Sequence, residues 1–436
     1  MMKRLRTLVP IAAAALVLSG CAMAGTASGP AATIDPNAKV SGSITVWSWD
    51  AAAVSLKRLA GEYEKKHSGT TIKVVDIGYD NAYDKLSVGL QAGTGLPDVV
   101  TIETDHTPGY LSQFPKGFAD LTPIIGDKKA DFDPSKWAAS VDSAGAIKAV
   151  PWDSGTVGLF YRSDYLDAAG VDPASLTTWD ALVSAGEKIK AATGHTLLTA
   201  DVSSGGLFQM LLQQQGQGLF DAKGDITVSS PQAVKALALL KELNDKGLLK
   251  NVKGWDARVT SAKNGDSAVT PEAVWWIATL TGEAAELSGK YGVAELPAFD
   301  SDGARTSNSG GSALAVPTQA KNPQLAASFA AFALADTANQ VSMMKKDGLF
   351  PSYLPALKDP LFQQPDPYFG GQKVYQLFAE QTAKIPAIAY TADNAKAGDI
   401  VANAVVSSVI NGADPASALK DAAKQIATAT GRTIAG

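Results

Sequence analysis

Residues 44–102 read ITVWSWDAAAVSLKRLAGEYEKKHSGTTIKVVDIGYDNAYDKLSVGLQAGTGLPDVVTI, a stretch in which three apolar runs alternate with two amphipathic segments. The apolar runs are rich in β-branched residues, which is typical of strands, and they lie at 44–47, 72–77 and 98–102. Residues 52–66 and 83–90 instead repeat apolar side chains at the spacing of an amphipathic helix. Strands that alternate with helices of this length indicate βαβ units and a parallel sheet, so the stretch predicts an α/β fold.

A second block of the same class begins near residue 155. Its predicted strands lie at 157–161, 197–200 and 313–317, and its predicted helices at 179–192, 205–215, 231–246 and 323–334. Proline-containing loops at 350–370 interrupt a mainly helical pattern in the C-terminal part of the chain. Because single cores stop growing near ~250–300 residues, a chain of 436 residues is long enough for two lobes.

The N-terminal 21 residues have the features of an export signal. Lys3, Arg4 and Arg6 give a positive start, residues 8–18 form an apolar run, and small residues lead to Cys21. The run is shorter than the roughly 20 helical residues that a bilayer core requires. The sequence LSGC resembles a bacterial lipobox, which implies a signal peptide at 1–20 and a lipidated cysteine. The alternative is an ordinary secretory signal with an incidental cysteine.

The composition limits the compartment and the partners of the mature chain. Cys21 is the only cysteine, so no intrachain disulfide can form. Residues 22–42 lack apolar periodicity and are rich in small residues, so we predict a flexible, lipid-anchored tether over 21–42. The formal net charge is −5 for the full sequence and −8 once Lys3, Arg4 and Arg6 are removed with the signal peptide (35 Lys+Arg against 43 Asp+Glu). There is also no basic cluster, which argues against nucleic acid as a partner.

Three further stretches have a characteristic order and spacing. They are YDKL to AGTGLPDVV at 83–100, VPW to GLFYR at 150–162, and GGSALAVP to KNP at 310–323. Together, behind the LSGC motif, they resemble the extracellular solute-binding proteins of sugar ABC importers, the maltose-binding-protein-like group of family 1 solute-binding lipoproteins. The resemblance covers nearly the whole folded chain.

The resemblance implies a two-lobed, periplasmic-binding-protein-like fold of class II, with a hinged ligand cleft between the lobes. The N-lobe would contain 43–150 with 313–348, the C-lobe 155–308 with 354–436, and the hinges would lie near 151–154, 309–312 and 349–353. It further implies a monomer without a cofactor, anchored to the cell membrane through Cys21. Such a protein binds a sugar or oligosaccharide outside the cytoplasm and delivers it to the permease subunits of an ABC transporter.

Sugar binding requires planar polar side chains that fix hydroxyl directions and aromatic faces on which a ring can lie. In open α/β sheets, such groups follow the carboxyl ends of strands. The candidates that follow predicted strands, or lie at predicted crossings and on the 205–215 helix, are Trp49, Asp50, Glu103, Thr104, Asp105, Trp152, Asp153, Gln209, Trp255, Trp275, Trp276, Ser309, Gly310, Gly311 and Tyr353.

Several of these candidates have a structural alternative. Asp50 is also a suitable N-cap for the helix that follows it. The polar residues 103–105 also fit a solvated loop, and Trp152 also fits a packing role between elements. Of Trp275 and Trp276, one ring can face the cleft while the other is buried, or both can belong to the core. The glycines 310 and 311 also fit a flexible hinge.

The sequence contains no motif of a known catalytic or metal site. The three histidines, at 67, 106 and 195, are far apart in sequence, and there is no HExxH, GxSxG, P-loop or spaced Cys/His set. Residues 300–303 lack the later ligands of a calcium loop. We therefore predict a non-enzyme without a metal. The alternatives are a secreted carbohydrate-active enzyme, such as a glycosidase, and a sensor or adhesion lipoprotein with the same fold.

Overall fold

A computed structural model describes residues 34–436, apart from the side chains at positions 79 and 80. The predicted signal peptide, Cys21 and the first part of the predicted tether lie outside these residues. In the described part the strands are β1 Gly42–Ser48, β2 Thr70–Asp76, β3 Val99–Glu103, β4 Ala149–Pro151, β5 Val157–Arg162, β6 Thr196–Ala200, β7 Leu249–Asn251, β8 Ser267–Ala273, β9 Tyr291–Ala294 and β10 Ser312–Ala315.

The helices cover both sheets. They are α1 Asp50–Lys66, α2 Tyr79–Ala92, α3 Thr107–Gln113, α4 Thr122–Ile125, α5 Pro134–Ala139, α6 Ser163–Ala168, α7 Trp179–Thr193, α8 Gly206–Gln214, α9 Pro231–Asp245, α10 Trp255–Asn264, α11 Trp276–Glu283, α12 Pro323–Leu334, α13 Thr337–Asp347, α14 Val374–Thr382, α15 Asn394–Val409 and α16 Pro415–Thr430. Short 3-10 turns lie at Gly126–Asp131, Pro173–Ser175, Val202–Ser204, Ala285–Leu287, Leu354–Lys358, Pro360–Gln363 and Pro367–Phe369.

The first sheet is the centre of the N-lobe and has the strand order β2-β1-β3-β10-β4. β1 runs parallel to β2 and β3, as predicted from residues 44–102, whereas β10 returns antiparallel to β3 and β4. Its strands are near-continuous apolar runs because helices such as α1 and α12 cover them. Val46, Leu56 and Phe329, all with no exposed surface, mark the centre of this core.

The second sheet is the centre of the C-lobe and has the order β7-β6-β8-β5-β9. β6 is parallel to β7 and β8, and β5 is antiparallel to β8 and β9. The helix that packs here, α9, begins as its sequence predicts: Ser230 Oγ accepts a hydrogen bond from the Ala233 amide, and Pro231 occupies the first turn. The two sheets confirm the predicted two-lobed α/β fold.

The chain passes between the sheets in three segments that lie side by side. The first joins β4 to β5, the second leads from β9 to β10, and the third follows α13. Asp153 pairs with Pro351, and Thr156 pairs with Asn308, in short antiparallel bridges. All three crossings are therefore fixed to one another by backbone hydrogen bonds beneath the space between the lobes.

The described chain begins in an ordered contact, and the predicted tether differs from the structure at this end. Ile34 is 3% exposed and belongs to the N-lobe core. The Asp35 amide donates to Gln324 Oε1 at 2.9 Å, and Gln324 Nε2 donates back to the Asp35 carbonyl oxygen at 2.6 Å. The composition of residues 22–42 predicts a tether through residue 42. Composition alone does not reveal that one apolar side chain, that of Ile34, packs in the N-lobe core. Among the helices of residues 34–436, none has the length and hydropathy needed to span a bilayer.

Candidate ligand-binding site

A cavity of about 170 Å³ lies between the two lobes. The N-lobe contributes the loop that follows β3, and the C-lobe contributes α8 and a segment before α15. The second crossing supplies the floor. The lining residues are Thr104, Asp105, Gly206, Gln209, Met210, Leu212, Gln213, Gly218, Leu219, Asn308, Ser309, Gly310, Ile388, Tyr390 and Asn394. The loop after β3 follows the carboxyl end of a strand, where open α/β sheets place ligand-binding groups.

The loop after β3 is fixed to the second crossing and to α2. The amide and hydroxyl of Thr104 donate to the Gly311 carbonyl oxygen at 2.9 and 3.0 Å. The Tyr83 hydroxyl donates to Glu103 at 2.7 Å, and the Tyr83 ring stacks on His106 with 4.1 Å between centroids. These contacts leave the Asp105 carboxylate, 62% exposed, directed at the open space between the lobes.

Asp105 and His106 form an ion pair at the edge of the cavity. His106 Nδ1 lies 2.8 Å from Asp105 Oδ1. The side chain of Asp105 is solvent-accessible, but the two lobes around it limit hydration, and this desolvation opposes the charge of both groups. Their mutual hydrogen bond and charge attraction outweigh it, so the pKa of Asp105 is lowered and that of His106 is raised. Asp105 is therefore an ionised acceptor at neutral pH. Ligand atoms of Glu103, Asp105 and His106 all lie within 4.8 Å of one another, but Asp105 and His106 are hydrogen-bonded to each other and Glu103 accepts the Tyr83 hydroxyl.

The two adjacent tryptophans have different environments. Trp276 is 1% exposed and packs in the C-lobe core. Trp275 is half-buried, and its Nε1 donates to the Ser309 carbonyl oxygen at 3.2 Å. Trp255 is 45% exposed, and its ring centroid lies 5.6 Å from that of Trp275. Trp255 and Trp275, called the rim pair here, therefore lie beside the crossing rather than in the cavity wall.

A second, smaller space of about 80 Å³ adjoins the cavity, and both share Gly206, Met210 and Ser309. Its polar wall includes Asp201 and the ion pair of Arg258 with Glu272. The Arg258 guanidinium also lies 5.7 Å from the Trp255 ring centroid, so charge and aromatic surface meet on this side of the crossing.

Of the residues predicted from the sequence, the structure brings together Thr104, Asp105, Gln209, Ser309 and Gly310 in the cavity wall. Asp153 and Gly311 lie directly below it: Asp153 Oδ1 accepts the Ser312 amide at 2.7 Å, and Gly311 has the positive φ of 98° that glycine tolerates. Glu103 lies at the end of β3, where it accepts the Tyr83 hydroxyl.

Four more predicted residues, Trp152, Tyr353, Trp49 and Asp50, also do not line the cavity. Trp152 is 1% exposed and Tyr353 is 6% exposed, both within the N-lobe core, where Tyr353 packs against Phe132. Trp49 is 9% exposed and precedes α1 as its N-cap through its backbone. Asp50 is exposed as the first residue of α1, and neither residue makes a side-chain cap, so the capping alternative for Asp50 is wrong.

The sequence-based predictions missed Asn308, Tyr390 and Asn394 in the wall, and Lys136 below it. Burial raises the pKa of Tyr390, and the charge of Asp105 acts in the same direction, so the hydroxyl stays protonated and can donate. These residues come from segments that show no strand-end signal in the sequence. Asn308 belongs to a crossing and Lys136 bonds to one, whereas Tyr390 and Asn394 come from the segment before α15 and its first residue.

Comparison with known proteins agrees with this architecture. Residues 58–369 match the model of the bacterial extracellular solute-binding protein family. The chain is 32% identical to the lactose-binding protein of Rhizobium radiobacter over 371 residues, which is 83% of this chain and 86% of that one. It is 27% identical to the arabinooligosaccharide-binding protein of Bacillus subtilis, over 79% of this chain and 82% of that one.

Solved structures share the fold. The ABC-transporter-associated binding protein of B. animalis subsp. lactis Bl-04, solved with β-1,6-galactobiose, superposes with a TM-score of 0.75 at 24% identity, over 91% of this chain and 100% of that one. The family match spans most of the chain and agrees with the two lobes and the cavity between them. The chain belongs to the bacterial extracellular solute-binding protein family.

Proposed function

We propose that the protein binds a sugar or oligosaccharide outside the cytoplasmic membrane and delivers it to the permease subunits of an ABC transporter. The observation that carries this proposal is the interlobe cavity, whose wall combines an ionised carboxylate, planar amides and a phenol beside an aromatic rim. The relatives named as lactose- and arabinooligosaccharide-binding proteins support the choice of a sugar. They are binding proteins, which also supports a function without catalysis.

The wall offers complementary partners for sugar hydroxyls. Asp105 accepts hydrogen bonds, Gln209 and Asn394 both donate and accept through their amides, and the Tyr390 hydroxyl donates. The rim pair adds aromatic faces against which the C–H surface of a sugar ring can pack. Such a set favours a neutral, hydroxyl-rich ligand over a metal ion or a polyamine, because a polyamine requires several carboxylates around one aromatic box.

We propose that the three crossings, near 151–154, 309–312 and 349–353, act as hinges between the lobes. Their side-by-side bridges support a concerted motion, since a rotation of one segment moves its hydrogen-bonded neighbours. The mature chain would act as a monomer, because both halves of the proposed site come from one copy.

We expect calorimetry against a panel of mono- and oligosaccharides to give saturable binding of at least one neutral sugar, with spermidine and ferric citrate as non-sugar controls. Small-angle scattering with the same sugar is expected to give a smaller radius of gyration than the free protein. A folded protein that binds no sugar in the panel contradicts the proposed function. Cleavage of a glycan would favour the enzyme alternative, and unimpaired sugar uptake after deletion would favour a sensor or adhesion role.

We further propose that Cys21 carries a lipid that holds the mature protein at the cell membrane. Cys21→Ser removes the thiol that is acylated, so the variant is expected to appear in the medium or to remain as uncleaved precursor. Membrane fractionation followed by mass measurement of the mature N-terminus distinguishes these products. Processing and membrane retention equal to those of the unchanged protein would contradict the lipid anchor.

A further inference from the structure

Lys136 is a fully buried cation at the base of the interlobe space. It belongs to α5, and its side chain is 1% exposed. The Lys136 Nζ donates a hydrogen bond to the carbonyl oxygen of Gly310, in the second crossing. The Lys136 stem lies against Gly311, where any Cβ would fall 2.9 Å from Lys136 Cε. The absence of a side chain at Gly311 is what lets the lysine reach the crossing.

The residues around Lys136 connect α5 to all three crossings. Asp133 caps α5 through Ser135, and its other carboxylate oxygen accepts the Ser154 hydroxyl of the first crossing at 2.7 Å. The Asp133 amide donates to the Ser352 carbonyl oxygen of the third crossing at 2.8 Å. The Asp153 carboxylate, in the first crossing, accepts a hydrogen bond from the Ser312 amide at the end of the second crossing. One short helix of the N-lobe therefore fixes the positions of three segments.

The buried charge has partners that compensate it. Burial lowers the pKa of Lys136, and the carboxylates of Asp133 and Asp153, followed by those of Asp105 and Glu103, oppose that shift. Lys136 does not line the cavity, so it acts on a ligand indirectly, through the crossing that it binds and through its charge on the Asp105 carboxylate.

The other side of the same crossing bears the rim pair. Trp275 Nε1 donates to the Ser309 carbonyl oxygen, the residue directly before the carbonyl that Lys136 binds. Asn308 Nδ2 also donates to the Gly310 carbonyl oxygen, at 3.0 Å. Two consecutive carbonyl groups are therefore held from opposite lobes, one by Lys136 of the N-lobe and one by Trp275 of the C-lobe.

We propose that Lys136 is a positioning residue for ligand binding, which fixes the Gly310–Gly311 peptide in the cavity floor and thereby the adjoining Ser309 carbonyl and the orientation of Trp275. This inference rests on the proposed sugar-binding function. It predicts that the loss of Lys136 changes sugar affinity without the loss of any direct ligand contact.

A double-mutant cycle separates positioning from plain stabilisation. Lys136→Met keeps the length of the side chain but removes the donor, and Trp275→Phe keeps a ring but removes the bond to Ser309. We expect Lys136→Met to weaken sugar binding by about tenfold, the usual effect of a lost charged hydrogen bond. The two changes together are expected to depart from the product of the single effects by more than about threefold.

Lys148→Met is the matched control, because Lys148 is a largely buried N-lobe lysine whose Nζ pairs with Asp142 and not with a carbonyl group of a crossing. It is expected to change sugar affinity by less than about threefold and to show no coupling to Trp275. If Lys136→Met does not fold, Lys136→Leu enters the same cycle, because it also removes the donor to Gly310. The inference is overturned if the substitutions at 136 and 275 have additive effects on the free energy of sugar binding. It is also overturned if neither of the two replacements at position 136 gives a folded protein. A failure of the unchanged protein to bind sugar instead overturns the proposed function alone.

Discussion

Replacing Trp276 with alanine is expected to lower the free energy of unfolding by about 3–5 kcal/mol, the range for large-to-small changes of buried aromatic residues. The Trp276 ring is 1% exposed and packs in the C-lobe core, so its removal leaves a cavity that the neighbouring side chains cannot fill. Denaturant unfolding of the variant measures this loss. Protein that still folds is expected to bind sugar with nearly unchanged affinity, because the ring faces away from the interlobe space.

Trp275→Ala is the matched variant at the adjacent position, with the opposite expected profile. Its ring is half-buried beside the second crossing, so little folding stability is lost. Removal of an aromatic side chain that packs against the ligand can cost ~2 kcal/mol or more of binding energy, so Trp275→Ala is expected to weaken sugar binding at least about tenfold. Calorimetry with the sugar identified in the panel measures this effect. If both variants lose stability heavily while sugar affinity is kept, both rings belong to the core and the rim pair has no binding role.

Gly155→Ala is expected to destabilise the protein by about 3 kcal/mol, the upper end of the range for overpacking, and to abolish high-affinity sugar binding. A Cβ at Gly155 would overlap the carbonyl oxygen of Ser309 and lie 2.6 Å from its carbonyl carbon. These atoms are backbone, so they cannot rotate away. The first and second crossings would have to separate, although the Ser309 amide bonds the Gly155 carbonyl at 2.9 Å.

Gly61→Ala provides the control for this substitution. Gly61 lies within α1, and a Cβ there would meet no atom within 4 Å. Alanine is favoured over glycine in helices, so this variant is expected to gain about 0.5–1 kcal/mol of stability and to bind sugar normally. Thermal unfolding and calorimetry of both variants compare the two sites. Normal stability and affinity of Gly155→Ala would show that the crossings separate without cost.

Regular periodicity made much of the fold predictable. The predicted helix at 323–334 coincides with α12, because Asn322 caps it and Pro323 marks its first turn. β8 escaped prediction because it contains Pro271, and proline disfavours interior strands. The pairing of β8 with β6 ends at Val269. Pro271 lies beyond it, so the amide hydrogen that proline lacks is not needed for a hydrogen bond to β6.

The site was less predictable than the fold, for a physical reason. Residues directly after a strand, such as Thr104 and Asp105, follow from local pattern because strand ends meet at one edge. A tryptophan such as Trp152 suits both sugar stacking and core packing. The sequence alone does not show whether its ring faces the cleft or the core. Lys136 belongs to a short helix far from the second crossing in sequence. Its proposed role follows only from the three-dimensional structure, in which its Nζ meets the Gly310 carbonyl of the second crossing.

The docking of Ile34 in the N-lobe core limits how far the protein can travel from its proposed anchor. Only 13 residue steps separate position 21 from position 34. A fully extended chain covers at most about 3.5 Å per residue, so a lipid on Cys21 would keep the start of the N-lobe within about 45 Å of the membrane surface. The protein would then move in two dimensions within a thin layer above the bilayer. Its encounter rate with a permease would depend on surface density rather than on bulk concentration.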